Sequence, residues 1–158
     1  MSVVWRIAEL GDMLMQIDGA CHCGQISLTA EVDPSRVTLC NCPDCQIQSG
    51  APFRAIVAAP IESFTLRGQP RSYVKVADSG NRRAQMFCPE CGTPLFAIAR
   101  ENATTVNIRP GCVRQRADLV PTAQIWRQSA MPCLADLQRI PGSARQLPIV
   151  PASGKSGS

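Results

Sequence analysis

Three cysteines fall within six residues, Cys40-Asn41-Cys42-Pro43-Asp44-Cys45, and this stretch constrains the fold more than any other part of the chain. A Cys-x-Cys-x-x-Cys loop can bring three sulfur atoms around one ion without help from distant residues. Zinc prefers tetrahedral coordination by sulfur or nitrogen, so three thiolates would leave a fourth position for water or substrate. Pro43 fixes one φ angle and favours a tight, preformed turn. The other interpretation is a closed structural site whose fourth ligand comes from far away in the sequence.

Two further cysteine pairs flank this loop, Cys21-x-Cys23 and Cys88-x-x-Cys91. A disulfide within Cys-x-Cys would be badly strained, because its geometry departs from that of relaxed disulfides. The chain has nine cysteines, an odd number, and its start lacks the uninterrupted apolar segment of a secretory signal. We therefore predict metal ligation in a cytoplasmic, soluble protein.

The spacing alone does not decide which cysteines share an ion. The two flanking pairs together offer four thiolates, which would suit a closed, structural zinc site. Cys21 and Cys23 could equally share an ion with Cys42 and Cys45, which would leave Cys40 without a role. Both groupings stay open on the residues alone.

The segments between the cysteines predict a mainly β-protein. Alternating or apolar patterns predict strands over residues 15–19, 25–32, 53–58, 63–67, 72–76, 82–87, 95–99, 104–108 and 122–127. Residues 46–50 predict a single helical turn, and Gly68-Gln69-Pro70 predicts a hairpin connection between two strands. Aromatic residues make up only 4% of the chain, so we expect bound metal to contribute to its folding free energy.

At 158 residues the chain is long enough for one domain. We divide it into an N-terminal extension (1–12), a zinc domain (13–140) and a flexible C-terminal tail (141–158) rich in proline, glycine and serine. No apolar run approaches the length of a membrane span, so no membrane partner is predicted.

The formal net charge of +4 overstates how basic the folded protein is. Seven thiolates binding two Zn²⁺ ions would lower the net charge to about +1. Nucleic-acid binding to single strands also needs aromatic side chains along a basic stripe, and the few aromatic residues here are dispersed. The composition therefore predicts no nucleic-acid partner.

The residues outside the cysteine motifs offer little catalytic machinery. His22 is the only histidine, so a catalytic triad or a separate Cys–His pair has little to be built from. Cys112 and Cys133 lie outside the motifs and fit small buried hydrophobic residues. Arginines 82–83 and those within 109–116 could attract an anionic ligand such as a carboxylate, although most of them fit a solvated face.

The cysteine motifs together resemble those of the glutathione-dependent formaldehyde-activating enzyme family. The resemblance covers residues 17–126 and rests on Gly19-x-Cys21-His22-Cys23-Gly24, on Cys40-x-Cys42-x-x-Cys45 and on Phe87-Cys88-x-x-Cys91-Gly92-Thr93-Pro94-Leu95-Phe96. The chain departs from the family at Gln124-Ile125-Trp126, where relatives commonly carry a histidine before the tryptophan.

This resemblance implies a fold, a metal partition and an activity. The fold would be Mss4-like, with several small coiled antiparallel sheets around zinc sites. Two zinc ions per chain are implied: a structural one on Cys21, Cys23, Cys88 and Cys91, and a second one, with an open corner, on Cys40, Cys42 and Cys45. The implied function is a carbon–sulfur lyase that acts on adducts of a thiol such as glutathione with an aldehyde such as formaldehyde. The alternative is a non-enzymatic zinc module that binds or carries a thiol or its adduct.

Overall fold

A computed structural model describes residues 14–76 and 80–146. The predicted N-terminal extension (1–12) and most of the predicted tail (147–158) lie outside the described residues. The strands are β1 Met15–Ala20, β2 Ser27–Val32, β3 Val37–Cys40, β4 Arg54–Pro60, β5 Thr65–Arg67, β6 Arg71–Val76, β7 Arg82–Phe87, β8 Pro94–Ala99, β9 Thr105–Ile108 and β10 Pro121–Ile125, with one α-helix, α1, at Pro43–Ser49. Short 3-10 helices occupy connections and the segment Pro132–Arg139.

The strands form two sheets. The smaller has the order β1-β2-β5, and the larger has the order β10-β3-β4-β9-β8-β7-β6. Neighbouring strands are antiparallel except for β10 and β3, which run parallel. The predicted mainly β class is confirmed, although one sheet is larger than the small sheets that the resemblance implied. No helix in the two described ranges is long and apolar enough to span a membrane.

The hydrophobic core includes residues from both sheets. In β2 the buried side chains Leu28, Ala30 and Val32 alternate with exposed ones, as the pattern of that segment predicts. The large sheet contributes Val57, Val106 and Ile108, among other fully buried residues of the same cluster. Because side chains alternate across a strand, the neighbouring positions of β4 and β9 point to the opposite face of the large sheet.

The predicted hairpin at residues 68–70 is wrong. β5 pairs with β2 in the small sheet, whereas β6 pairs with β7 in the large sheet, so this connection crosses between sheets. Gly68 makes the crossing possible: its φ is +92°, and a Cβ atom there would lie 2.6 Å from the Gln25 carbonyl oxygen. Only glycine tolerates this conformation together with this close backbone approach.

The helix in the central cysteine loop begins earlier than the prediction of a turn at 46–50. α1 starts at Pro43, whose fixed φ angle suits the first helical position. Cys42 is the N-cap residue, and its Sγ accepts a hydrogen bond from the Cys45 N–H at 3.4 Å. Gly50, with φ of 64°, ends the helix in the left-handed region. The loop is therefore a strand end joined through Asn41 to a capped helix.

Candidate metal centres and adjoining cavity

The first cluster brings together the two flanking cysteine pairs. Their four Sγ atoms lie within 4.8 Å of one another, and we call them the four-cysteine cluster: Cys21, Cys23, Cys88 and Cys91. The Sγ–Sγ distance is 3.5 Å between Cys21 and Cys23 and 3.7 Å between Cys23 and Cys88. Tetrahedral zinc with bonds of about 2.3 Å sets sulfur–sulfur distances of about 3.8 Å, so the cluster fits one such ion. It also ties the connection after β1 to that between β7 and β8.

Neighbouring donors stabilise negative charge on these sulfurs. The Ile26 N–H donates to Cys21 Sγ at 3.3 Å, and the Thr93 hydroxyl lies 3.1 Å from Cys91 Sγ. The contact with the Thr93 hydroxyl is the largest influence that lowers the pKa of Cys91, to about 5. His22 lies between two members of the cluster but is exposed and is not part of either cysteine group.

The second group is the three-cysteine cluster: Cys40, Cys42 and Cys45. Cys40 ends β3, Cys42 caps α1, and their Sγ atoms are 3.5 Å apart. Within the described ranges no other histidine, cysteine or carboxylate joins this group. Cys112 instead donates its thiol to the Arg109 carbonyl at 3.1 Å. The donor set could therefore hold a metal ion and leave one of four tetrahedral positions to an external ligand.

Burial favours the protonated thiol at two of the three positions in the three-cysteine cluster. Desolvation is the largest influence on Cys45, and together with the neighbouring Cys40 and Cys42 it raises the pKa of that thiol to about 12. Desolvation also raises the pKa of Cys40. For Cys42, burial opposes ionisation, but hydrogen bonds from the Cys45 N–H and the neighbouring thiols outweigh it and lower the pKa. A metal cation would replace protons on these sulfurs.

A cavity of about 690 Å³ adjoins the three-cysteine cluster and is lined by Cys42 and Cys45. Its floor is the face of the large sheet that points away from the core. Strand register places the floor residues together, because directly paired residues share a face: Gln85 pairs with Ala97, and Ala97 pairs with Asn107. Arg54, also on this face, pairs with Cys40 of the adjoining cluster. This size is within the range of small-molecule binding sites.

The cavity is rich in cations. Its lining residues include Arg54, Lys75, Arg83 and Arg109, whereas Asp44 is the only carboxylate among them and forms an ion pair with Lys75. Arg54 Nη1 donates to Gln85 Oε1 at 3.1 Å, and Arg109 Nη2 donates to the same oxygen at 2.8 Å. Arg54 Nη1 also donates to Gln48 Oε1 at 3.0 Å.

Sequence reasoning found only part of this cation group. It included Arg83 and Arg109 among candidates for an anionic ligand but missed Arg54, Lys75 and Gln85. One signal for Arg54 was available, because a charged residue within an otherwise apolar strand needs a buried partner or a functional reason. No local pattern indicated Gln85.

Trp126 stands at the edge of the cavity on a segment fixed to the cysteine loop. The tryptophan has φ of 58° and is 51% exposed. The Asn41 side chain donates to the Ile125 carbonyl at 3.1 Å, and the Gln46 amide donates to the Ser129 carbonyl at 2.9 Å. These bonds fix the backbone before and after Trp126 to residues of the cysteine loop and of α1.

The fold and the two clusters define a class: mainly β-proteins whose grouped cysteines can bind metal ions. Residues 16–129 match the glutathione-dependent formaldehyde-activating enzyme family, and the chain belongs to this family. The resemblance drawn from the cysteine motifs is thereby confirmed.

Two individual proteins are also similar to this chain. An uncharacterised lyase of Schizosaccharomyces pombe is 27% identical over 81 residues, which cover 51% of this chain and 56% of the relative. The match thus spans about half the length of the curated relative. A crystal structure of a Rhodobacter sphaeroides protein matches with a TM-score of 0.53 at 18% identity, covering 68% of this chain and 98% of that one. At this identity the structural match shows the fold alone.

Proposed function

We propose that the protein is a zinc-dependent carbon–sulfur lyase acting on thiol–aldehyde adducts of the S-hydroxymethylglutathione type, formed from glutathione and formaldehyde. Family membership and the lyase name of the yeast relative support this proposal. The observation that carries it is the opening of the three-cysteine cluster onto a cavity of about 690 Å³. A reducing, cytoplasmic location is part of the same proposal, because thiols stay reduced there.

We assign one zinc ion to each cluster, two per chain. The four-cysteine cluster supplies a complete tetrahedral ligand set and would be structural. In the three-cysteine cluster, zinc would supply an open position that lowers the pKa of a substrate thiol. The soft thiolate donors favour zinc over the harder magnesium or calcium ions.

The reaction needs no redox partner. In adduct formation the thiol sulfur bonds to the aldehyde carbon, and the thiol proton ends on the former carbonyl oxygen. In cleavage the carbon–sulfur bond breaks and the hydroxyl proton returns to the sulfur. The residues that line the cavity act by binding the substrate. Arg54 and Arg109 attract its negatively charged groups, and Ile56 and Trp126 supply apolar walls. Asp44 is engaged with Lys75, so the lining offers no unpaired carboxylate as a general base.

Exchange NMR spectroscopy of glutathione and formaldehyde tests this function. The zinc-loaded protein should interconvert free thiol and adduct faster than the uncatalysed background, and chelation should remove the excess rate. Cys42→Ser should abolish the excess rate together with thiol binding, whereas Cys133→Ser, outside both clusters, should retain both. Thiol binding without a rate above background would refute the lyase and leave a binding module.

A further inference from the structure

Two arginines beside the three-cysteine cluster are buried without forming an ion pair to any described residue. Arg54 is 7% exposed and Arg109 is 8% exposed. None of the ion pairs formed within the described ranges involves either residue. Burial, and then the nearby charge of Arg54, lower the pKa of Arg109 to about 10. Buried charges are normally paired, so this arrangement needs an explanation.

Gln85 orients both side chains but does not neutralise them. Its Oε1 atom accepts from Arg54 Nη1 at 3.1 Å and from Arg109 Nη2 at 2.8 Å. Among the described residues the only fully buried side-chain nitrogen or oxygen without a hydrogen bond is Asn41 Oδ1. The other guanidinium nitrogens of Arg54 and Arg109 therefore either have a hydrogen-bond partner or are exposed to open space. Both arginines line the cavity beside the three-cysteine cluster and also a second, smaller cavity that shares Gln48 and Gln85 with it, so these cavities provide that space.

The three-cysteine cluster does not supply enough negative charge to balance this group. Three thiolates with one Zn²⁺ carry a single net negative charge, and Asp44 adds one more. Lys75, Arg54, Arg83 and Arg109 together outnumber these charges. The cavity stays positive with the ion in place. A ligand that carries both a thiolate and a carboxylate would lower the net charge of the cavity to near zero.

We propose that Arg54 and Arg109 form a clamp for a carboxylate of the thiol substrate, so that the site selects anionic thiols over neutral ones. Gln85 is a positioning residue that aims both guanidinium groups at one point. Guanidinium groups match the planar geometry of a carboxylate, and such charge-assisted hydrogen bonds are stronger than neutral ones. This inference rests on the proposed function, because it names the substrate class of the same site.

Calorimetric titration of the zinc-loaded protein with two matched thiols tests the clamp. N-acetylcysteine carries a carboxylate, and N-acetylcysteine amide has the same thiol without it. The wild-type protein should bind the acid about tenfold more tightly than the amide. Equal affinities would overturn the clamp but leave the proposed function intact. If neither thiol bound, the clamp would fail, whereas the proposed function would still be decided by exchange NMR spectroscopy with glutathione.

Gln85→Glu tests the same charge argument without relying on thiol binding. The Gln85 amide nitrogen makes no hydrogen bond to a described residue, so the substitution removes no contact found there. It places a carboxylate between the two arginines, and we expect a higher melting temperature together with loss of the preference for the acid. Gln69→Glu is the matched control, because Gln69 is exposed and outside the cavity lining. An unchanged or lower melting temperature for Gln85→Glu, relative to this control, would overturn the clamp.

Discussion

Loss of a ligand should destabilise the metal-loaded protein more in the four-cysteine cluster than in the three-cysteine cluster. Cys23 and Cys88 are 65 positions apart, so an ion bound to both closes a long loop between the two sheets. The three-cysteine cluster spans only six residues. A cross-link stabilises mainly by restricting the unfolded chain, and its effect grows with the logarithm of loop length.

The expected magnitudes follow from these loop lengths. Closure of the long loop corresponds to about 4 kcal/mol and closure of the six-residue loop to about 2 kcal/mol. In a chain of this size, 1 kcal/mol shifts the melting temperature by about 2–4 °C. Where loss of the ligand releases the ion, Cys23→Ser should therefore lower it by roughly 8–16 °C, and Cys42→Ser by roughly half as much. Cys23 is exposed and Cys42 is half-buried, so lost packing adds little to either change.

Thermal unfolding followed by circular dichroism measures this difference on zinc-loaded samples. Cys133→Ser is the control, because Cys133 is exposed and outside both clusters. If Cys42→Ser lowered the melting temperature as much as Cys23→Ser or more, the division into a structural and an open site would be reversed.

Three further outcomes are expected. Elemental analysis should return about two zinc ions per chain, and Cys112→Ser should leave that content unchanged; loss of one ion would mean that this thiol closes the open site. Trp126→Ala should weaken thiol binding in titrations. It should change the free energy of unfolding by less than about 1 kcal/mol, because the side chain is half exposed. Unchanged thiol affinity would exclude Trp126 from the site. Zinc binding at pH 7 should release protons from Cys40 and Cys45, whose pKa values are raised, so apparent affinity should fall as the pH falls; affinity that is flat between pH 6 and 8 would contradict this.

The sequence was informative wherever the structural signal is local. Alternation in β2 predicted both the strand and its buried face, because the side-chain period of a strand is read directly from consecutive residues. The Cys-x-Cys-x-x-Cys spacing likewise predicted that three sulfurs would meet, since only Asn41 separates the strand end from the cap and the helix that follows it. The helix start at Pro43 differs from the predicted turn at 46–50 because a fixed proline φ angle is as compatible with a tight turn as with the first position of a helix.

Pairings between residues far apart in the chain could not be predicted from the residues alone. Spacing left two groupings of the cysteine pairs open, and only the family resemblance implied the one in which Cys21 and Cys23 meet Cys88 and Cys91. The connection at 68–70 was wrong for a related reason: a glycine between two short strands is as compatible with a crossing between sheets as with a hairpin. The deciding contact, between Gly68 and Gln25, joins residues far apart in the chain.

No local sequence pattern indicates the complete arginine clamp. The strand register that builds the core also determines the clamp. Gln85 is 31 positions from Arg54 and 24 from Arg109, and these residues meet only because β4, β9, β8 and β7 are paired in one register. In β4 the buried Val57 faces the core, so Arg54 faces the cavity. A slip of one residue would turn a whole strand over and place its charged side chain in the core. The cost of burying that arginine therefore helps to specify the register, and the register in turn places the charge beside the cysteines.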